Sequence, residues 1–155
     1  MRRIVSPRAS LPVTAEWIEE LSLERYRPMM RLLDRRDLEF LREQPGYTPG
    51  LMTRLRAQRC QIFRGYLRCL NQDFARVVLA LKLVLLHSQD DRPELAAALL
   101  RQQFLFAAGL GAAQVRLLLY RWGWCGVDVA GLVRIFDTMR LELQNLVPAA
   151  LGVES

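Results

Sequence analysis

Apolar residues along this chain recur at three- and four-residue steps and show no sustained alternation. That spacing predicts helices rather than strands, and the sparse β-branched residues agree. Turn-forming clusters divide the chain into five expected helices. Thr14 is expected to cap a first helix running to about Arg25, with Glu16, Glu19 and Glu20 near its positive end. Pro28 suits the first turn of a second helix ending near Gln44, and Asp34 offers a separate cap for its later half, RRDLEFLRE. Thr48-Pro49 opens a third helix that meets no Gly-Pro punctuation until about His87. SQDDRP then reads as a turn, with Asp91 as cap and Pro93 inside a fourth helix that ends near Trp122. After RWGWCGVD, Asp128 is expected to cap a fifth helix that stops before Pro148.

The third helix carries the clearest pattern. Met52, Leu55, Ile62, Phe63, Tyr66, Leu70, Phe74, Val77 and Leu81 form one stripe. Beyond Val77 the residues Val78, Leu79, Leu83 and Leu86 make the helix apolar all round, which predicts burial on every side. A helix this long spans about 60 Å, against a diameter near 40 Å for a compact chain of this size. Either it kinks, with Gly65 and Asn71 as candidates, or the molecule is elongated. An elongated bundle leaves apolar stripe uncovered, so a homo-oligomer, with a dimer favoured, is expected. In the fourth helix Ala107, Ala108, Gly111 and Ala112 place small residues four apart, which predicts close packing against the third helix.

Composition narrows the class. The chain has 155 residues, of which 52% are hydrophobic and 25% charged. One globular domain is expected over 14–148, with a flexible segment at 1–13 and a tail at 149–155. Disordered, collagen-like and disulfide-built chains are excluded. Cys60, Cys69 and Cys125 are odd in number and lack paired spacing, so they read as small buried hydrophobes. The N-terminal segment is basic but lacks an apolar core, and no run reaches the roughly 20 apolar residues of a spanning helix. A cytoplasmic location is therefore the expectation.

Charge is uneven. The net +6 comes from 22 Lys plus Arg against 16 Asp plus Glu. Only Asp73 offsets the seven basic residues between 46 and 89, so the imbalance belongs to the third helix. Arg64, Arg68 and Lys82 share one edge of that helix, with Arg54 and Arg76 nearby, opposite the stripe. Arg56 and Arg59 lie closer to the stripe and are expected to snorkel or to pair with acids of the first two helices. The basic face could contact an acidic partner protein, phosphates of nucleic acid or an anionic membrane surface. Base-specific readout is not supported, because no helix-turn-helix signature, zinc spacing or aromatic-basic interleaving occurs.

Candidate chemistry is sparse. Lys82, the sole lysine, interrupts an apolar segment. It is expected to lay its stem on the core with its head at the surface; the alternatives are a carboxylate partner in Asp73, Asp137 or Glu142, or a catalytic base. His87, the sole histidine, suits the C-terminal end of the third helix. One histidine and three dispersed cysteines make no zinc site. Tyr120, Trp122 and Trp124 are expected to plug a bundle end, or else to line a pocket. No phosphate loop, nucleophile elbow or metalloprotease motif occurs, so no cofactor, metal or catalytic residue is expected.

Together these readings predict an all-α fold, a helical bundle of about five helices with two short N-terminal helices packed on three longer ones. The expected function is a non-enzymatic, self-associating interaction or regulatory module. Its alternative is nucleic-acid or anionic-membrane binding through Arg54, Arg64, Arg68, Arg76 and Lys82.

Overall fold

The computed structural model describes Ile18, residues 20–87, 93–124 and 128–150. Among them it contains helices and no strand. A 3-10 helix, Leu23–Tyr26, leads into α1 (Arg27–Leu32) and α2 (Arg35–Arg42). Three long helices follow: α3 (Pro49–His87), α4 (Pro93–Arg121) and α5 (Ala130–Ala150). The protein is an all-α helical bundle in which the three long helices pack on one another. The 3-10 helix rests against α5, and α1 against α3.

Local chemistry explains most boundaries. Ser22 accepts a hydrogen bond from the Glu24 backbone N–H and starts the 3-10 helix. The first expected helix therefore breaks before Arg25 instead of running through it; its expected cap, Thr14, lies outside the described residues. Pro28 stands in the first turn of α1, where its missing N–H has no partner to lose. Asp34 Oδ1 accepts from the Arg36 N–H, so the second expected helix divides at that cap. Thr48 Oγ1 accepts from the Leu51 N–H and opens α3. Asp128 Oδ1 accepts from the Ala130 N–H at 2.9 Å and opens α5. The Asp91 cap falls outside the described residues. α5 does not stop before Pro148 but continues to Ala150. Pro148 stands in its last turn, where few following residues depend on an intact ladder.

The stripe on α3 builds the core. Phe63, Leu70, Phe74, Val77 and Leu81 are buried, joined by Phe106 and Leu117 of α4 and by Phe136, Met139 and Leu143 of α5. Phe74 and Phe106 stack with centroids 3.7 Å apart and planes 7° from parallel. Tyr26 meets Phe136 edge-on at 5.9 Å. Ile62 departs from the stripe and is exposed. α3 is one uninterrupted helix of 39 residues, with no break at Gly65 or Asn71. Nothing lies within 4 Å of a Cβ added at Gly65, so packing does not require glycine there.

Two packing expectations are corrected. The C-terminal part of α3 is not buried on every side, because Leu79 and Leu86 are exposed. The small residues of α4 do not pack against α3 either: Ala107, Ala108, Gly111 and Ala112 all face solvent. Close approach occurs instead at Gly109, where an added Cβ would come 2.8 Å from Leu132 Cδ2 of α5.

Candidate functional site

Among the described residues, α4 presents a long exposed apolar face. At 100° per residue, its buried side chains Leu99, Phe106, Ala113, Leu117 and Tyr120 share one face. The opposite face carries Leu100, Phe104, Ala108, Gly111, Val115 and Leu118, and continues to Trp122 just past the helix end. Phe104 is 74% exposed and Trp122 is 72% exposed. None of these residues carries a charge, and Arg101 lies only at the edge of the face. From Ala97 to Trp122 the face runs about 37 Å. Isolated exposed apolar residues are ordinary, whereas a continuous strip of this length is not. Contrary to the expectation that no run suffices, α4 is by length and composition alone long and apolar enough to cross a membrane.

A groove borders this face. Arg64, Arg68 and Asn71 of α3 line one end of it with Leu110, Gln114 and Leu118 of α4, enclosing about 330 Å³. Its continuation, about 550 Å³, lies between Val78, Leu79 and Lys82 of α3 and Gln103, Phe106 and Ala107 of α4. The stacked Phe74–Phe106 pair lies at its floor. The rim has basic and neutral polar residues but no acid.

The five basic residues singled out from the sequence therefore divide. Arg64, Arg68 and Lys82 come together along the groove. Lys82 is exposed, with neither Asp73, Asp137 nor Glu142 as an ion-pair partner. Arg76 turns to the other side of α3, where its Nη1 lies 3.9 Å from Asp73. Arg54 stands exposed near the N-terminal end of α3, away from the groove. Arg59 reaches the N-terminal helices as expected: it donates to the Leu32 carbonyl at 3.2 Å and approaches Asp37 at 3.6 Å.

The aromatic cluster also divides. Tyr120 is buried and shares a crevice with Leu38 and Arg42 of α2, whereas Trp122 and Trp124 are exposed and do not plug the bundle end. Gly123, at φ +87°, explains the separation by reversing the chain directly after α4. Cys60 is buried, which pushes its thiol pKa up, and Cys69 is half-buried. Cys125 lies outside the described residues.

The sequence reading missed the buried polar pair. Tyr26 donates its hydroxyl to Asp73, and Arg25 Nη1 lies 3.7 Å from the same carboxylate. The available signal was positional. Asp73 sits three residues after Leu70 and four before Val77, inside the apolar stripe. Among the described residues no group of histidine, cysteine and acidic side chains could hold a metal ion. Compared with family models, curated proteins and solved structures, the chain matches none.

Proposed function

We propose that this chain is a non-enzymatic helical module that self-associates through the outward face of α4. The carrying observation is the uncharged, exposed strip from Ala97 to Trp122. Its residues are arranged to suit a second copy running antiparallel. Small residues Ala108 and Gly111 occupy the middle, and bulky ones, Leu100 and Phe104, then Val115, Leu118 and Trp122, occupy both ends. A two-fold axis between Ala108 and Gly111 sets Phe104 of each copy opposite Val115 of the other. The small centre lets the two backbones approach. Each large side chain contributes about 1.5–3 kcal/mol when fully buried. The ten such side chains of a pair are already partly buried in the single chain, and burying the rest still offsets the roughly 4–15 kcal/mol that association costs.

Spin labels test the arrangement. A nitroxide at Arg121→Cys, with the native cysteines replaced, sits about 35 Å from its counterpart along the axis of an antiparallel pair. A parallel pair brings the two labels within about 10–15 Å. The long distance supports the proposal. A short distance excludes the antiparallel arrangement, and no intermolecular distance excludes the pairing.

One observation favours a second reading, docking on an anionic membrane surface. The basic rim of Arg64 and Arg68 shares a groove with Leu118, so positive charge and the apolar strip adjoin. This reading expects sedimentation with phosphatidylglycerol vesicles but not phosphatidylcholine vesicles, and loss of binding in Arg64→Ala/Arg68→Ala. Equal recovery with both lipids, or none with either, excludes it.

A further inference from the structure

A second site lies at the C-terminal end of α4, where α2, α3 and the turn after α4 meet. Arg35 and Arg42, seven residues apart on one face of α2, line a crevice of about 50 Å³ with Arg56 of α3 and Tyr120 of α4. Leu38 and Gly123 close its sides, and Glu39 is its single acid. None of the three arginines forms an ion pair among the described residues. Three like charges thus line a small space with one carboxylate to offset them.

The crevice also holds unmet hydrogen-bonding capacity. Tyr120 is only 3% exposed and its hydroxyl lies beside the Arg59 guanidinium without a hydrogen bond of good geometry, while the buried Arg56 Nε has no hydrogen-bond partner. Gly123 makes the arrangement sterically possible. A Cβ there would lie 3.0 Å from Arg56 Nη1, and φ of +87° already disfavours any other residue.

We propose that this crevice binds an oxyanion, the phosphate group of a small phosphomonoester or inorganic phosphate. A phosphate accepts from the guanidinium groups of Arg35, Arg42 and Arg56 that line the crevice, with the Tyr120 side chain as its wall. Its charge offsets the facing arginines, and paired N–H donors of a guanidinium match its oxygens. The volume admits the phosphate and leaves any organic remainder outside, toward exposed Arg35 and Arg42. Burial pushes the Tyr120 hydroxyl pKa up, although Arg59 and Arg56 pull it down, so it stays uncharged at neutral pH.

Thermal unfolding and calorimetric titration of the full chain with inorganic phosphate, against chloride at equal ionic strength, provide the test. A saturating, phosphate-specific rise in Tm is expected. Arg35→Gln/Arg42→Gln changes only exposed side chains and so spares the fold; it is expected to weaken binding at least tenfold. Two further probes separate the sources of phosphate: glycerol 3-phosphate in solution, and phosphatidic acid in phosphatidylcholine vesicles. Binding of either that depends on Arg35 and Arg42 supports the site and names its source. An equal response to chloride, binding undiminished in the double variant, or failure of all three probes overturns the proposal.

Discussion

The Tyr26 hydroxyl donates a buried hydrogen bond to the Asp73 carboxylate, tying the N-terminal 3-10 helix to the middle of α3 across 47 residues of sequence. Arg25 and Arg76 stand at 3.7 and 3.9 Å from the same carboxylate, so its charge is shared by a small network. Removing the hydroxyl leaves a buried carboxylate short of its main donor. Tyr26→Phe is expected to lower unfolding free energy by about 1.5–3 kcal/mol, read from urea denaturation at neutral pH.

The same bond sets a pH dependence. Burial first, then the hydrogen bond to Asp73 and its charge, holds the Tyr26 pKa well above the ordinary tyrosine value of 10.0. The unfolded chain releases that proton near pH 10 while the folded chain retains it. Stability is therefore full below about pH 10 and falls as pH rises beyond it, by up to about 1.4 kcal/mol per unit for each such group. Burial shifts Tyr120 in the same direction. Denaturation curves between pH 9 and 11 should show a shallower decline in Tyr26→Phe than in the native chain. An unchanged slope contradicts the assignment.

Two neighbouring glycines should respond differently. At Gly111 nothing lies within 4 Å of an added Cβ, so Gly111→Ala is expected to stabilise the single chain by about 0.5–1 kcal/mol. At Gly109 the added Cβ meets buried Leu132, and the overpacking offsets the helical gain. Gly109→Ala should thus unfold at a lower temperature than Gly111→Ala. If Gly111 faces a second copy, Gly111→Ala should also weaken association while stabilising the chain. Scanning calorimetry at several protein concentrations separates these effects.

Trp122 reports on the α4 face. Its side chain is exposed in the single chain and lies at the end of the proposed contact. In a variant with Trp17→Phe and Trp124→Phe, acrylamide should quench Trp122 strongly in dilute solution and less as concentration rises. Quenching that is independent of concentration contradicts its place in a self-contact.

The sequence exposed the helices but not their neighbours. Asp34, Thr48 and Asp128 announced helix starts because capping is local, and the α3 stripe named most of the core because a buried face repeats every turn. Partner choice is not local. Ala108 and Gly111 share the small-residue pattern of a packed interface, yet they face outward while Gly109 packs on α5. Tyr120, Trp122 and Trp124 are neighbours in sequence, but the backbone turn at Gly123 leaves Trp122 and Trp124 outside while Tyr120 is buried. The arginine crevice escaped the sequence reading because its residues come from three helices, and only the i, i+7 pair of Arg35 and Arg42 hinted at a shared face.

Sedimentation equilibrium of the full chain, beside Phe104→Glu, tests self-association through α4 most directly. The native chain should sediment at twice its 17.9 kDa mass. Phe104→Glu places a charge on the strip without touching the core and should sediment at 17.9 kDa with unchanged helical content. A native mass of 17.9 kDa at concentrations up to about 100 μM, a hundredfold above a micromolar Kd, would contradict self-association. A dimer that persists unchanged in Phe104→Glu would place the contact elsewhere.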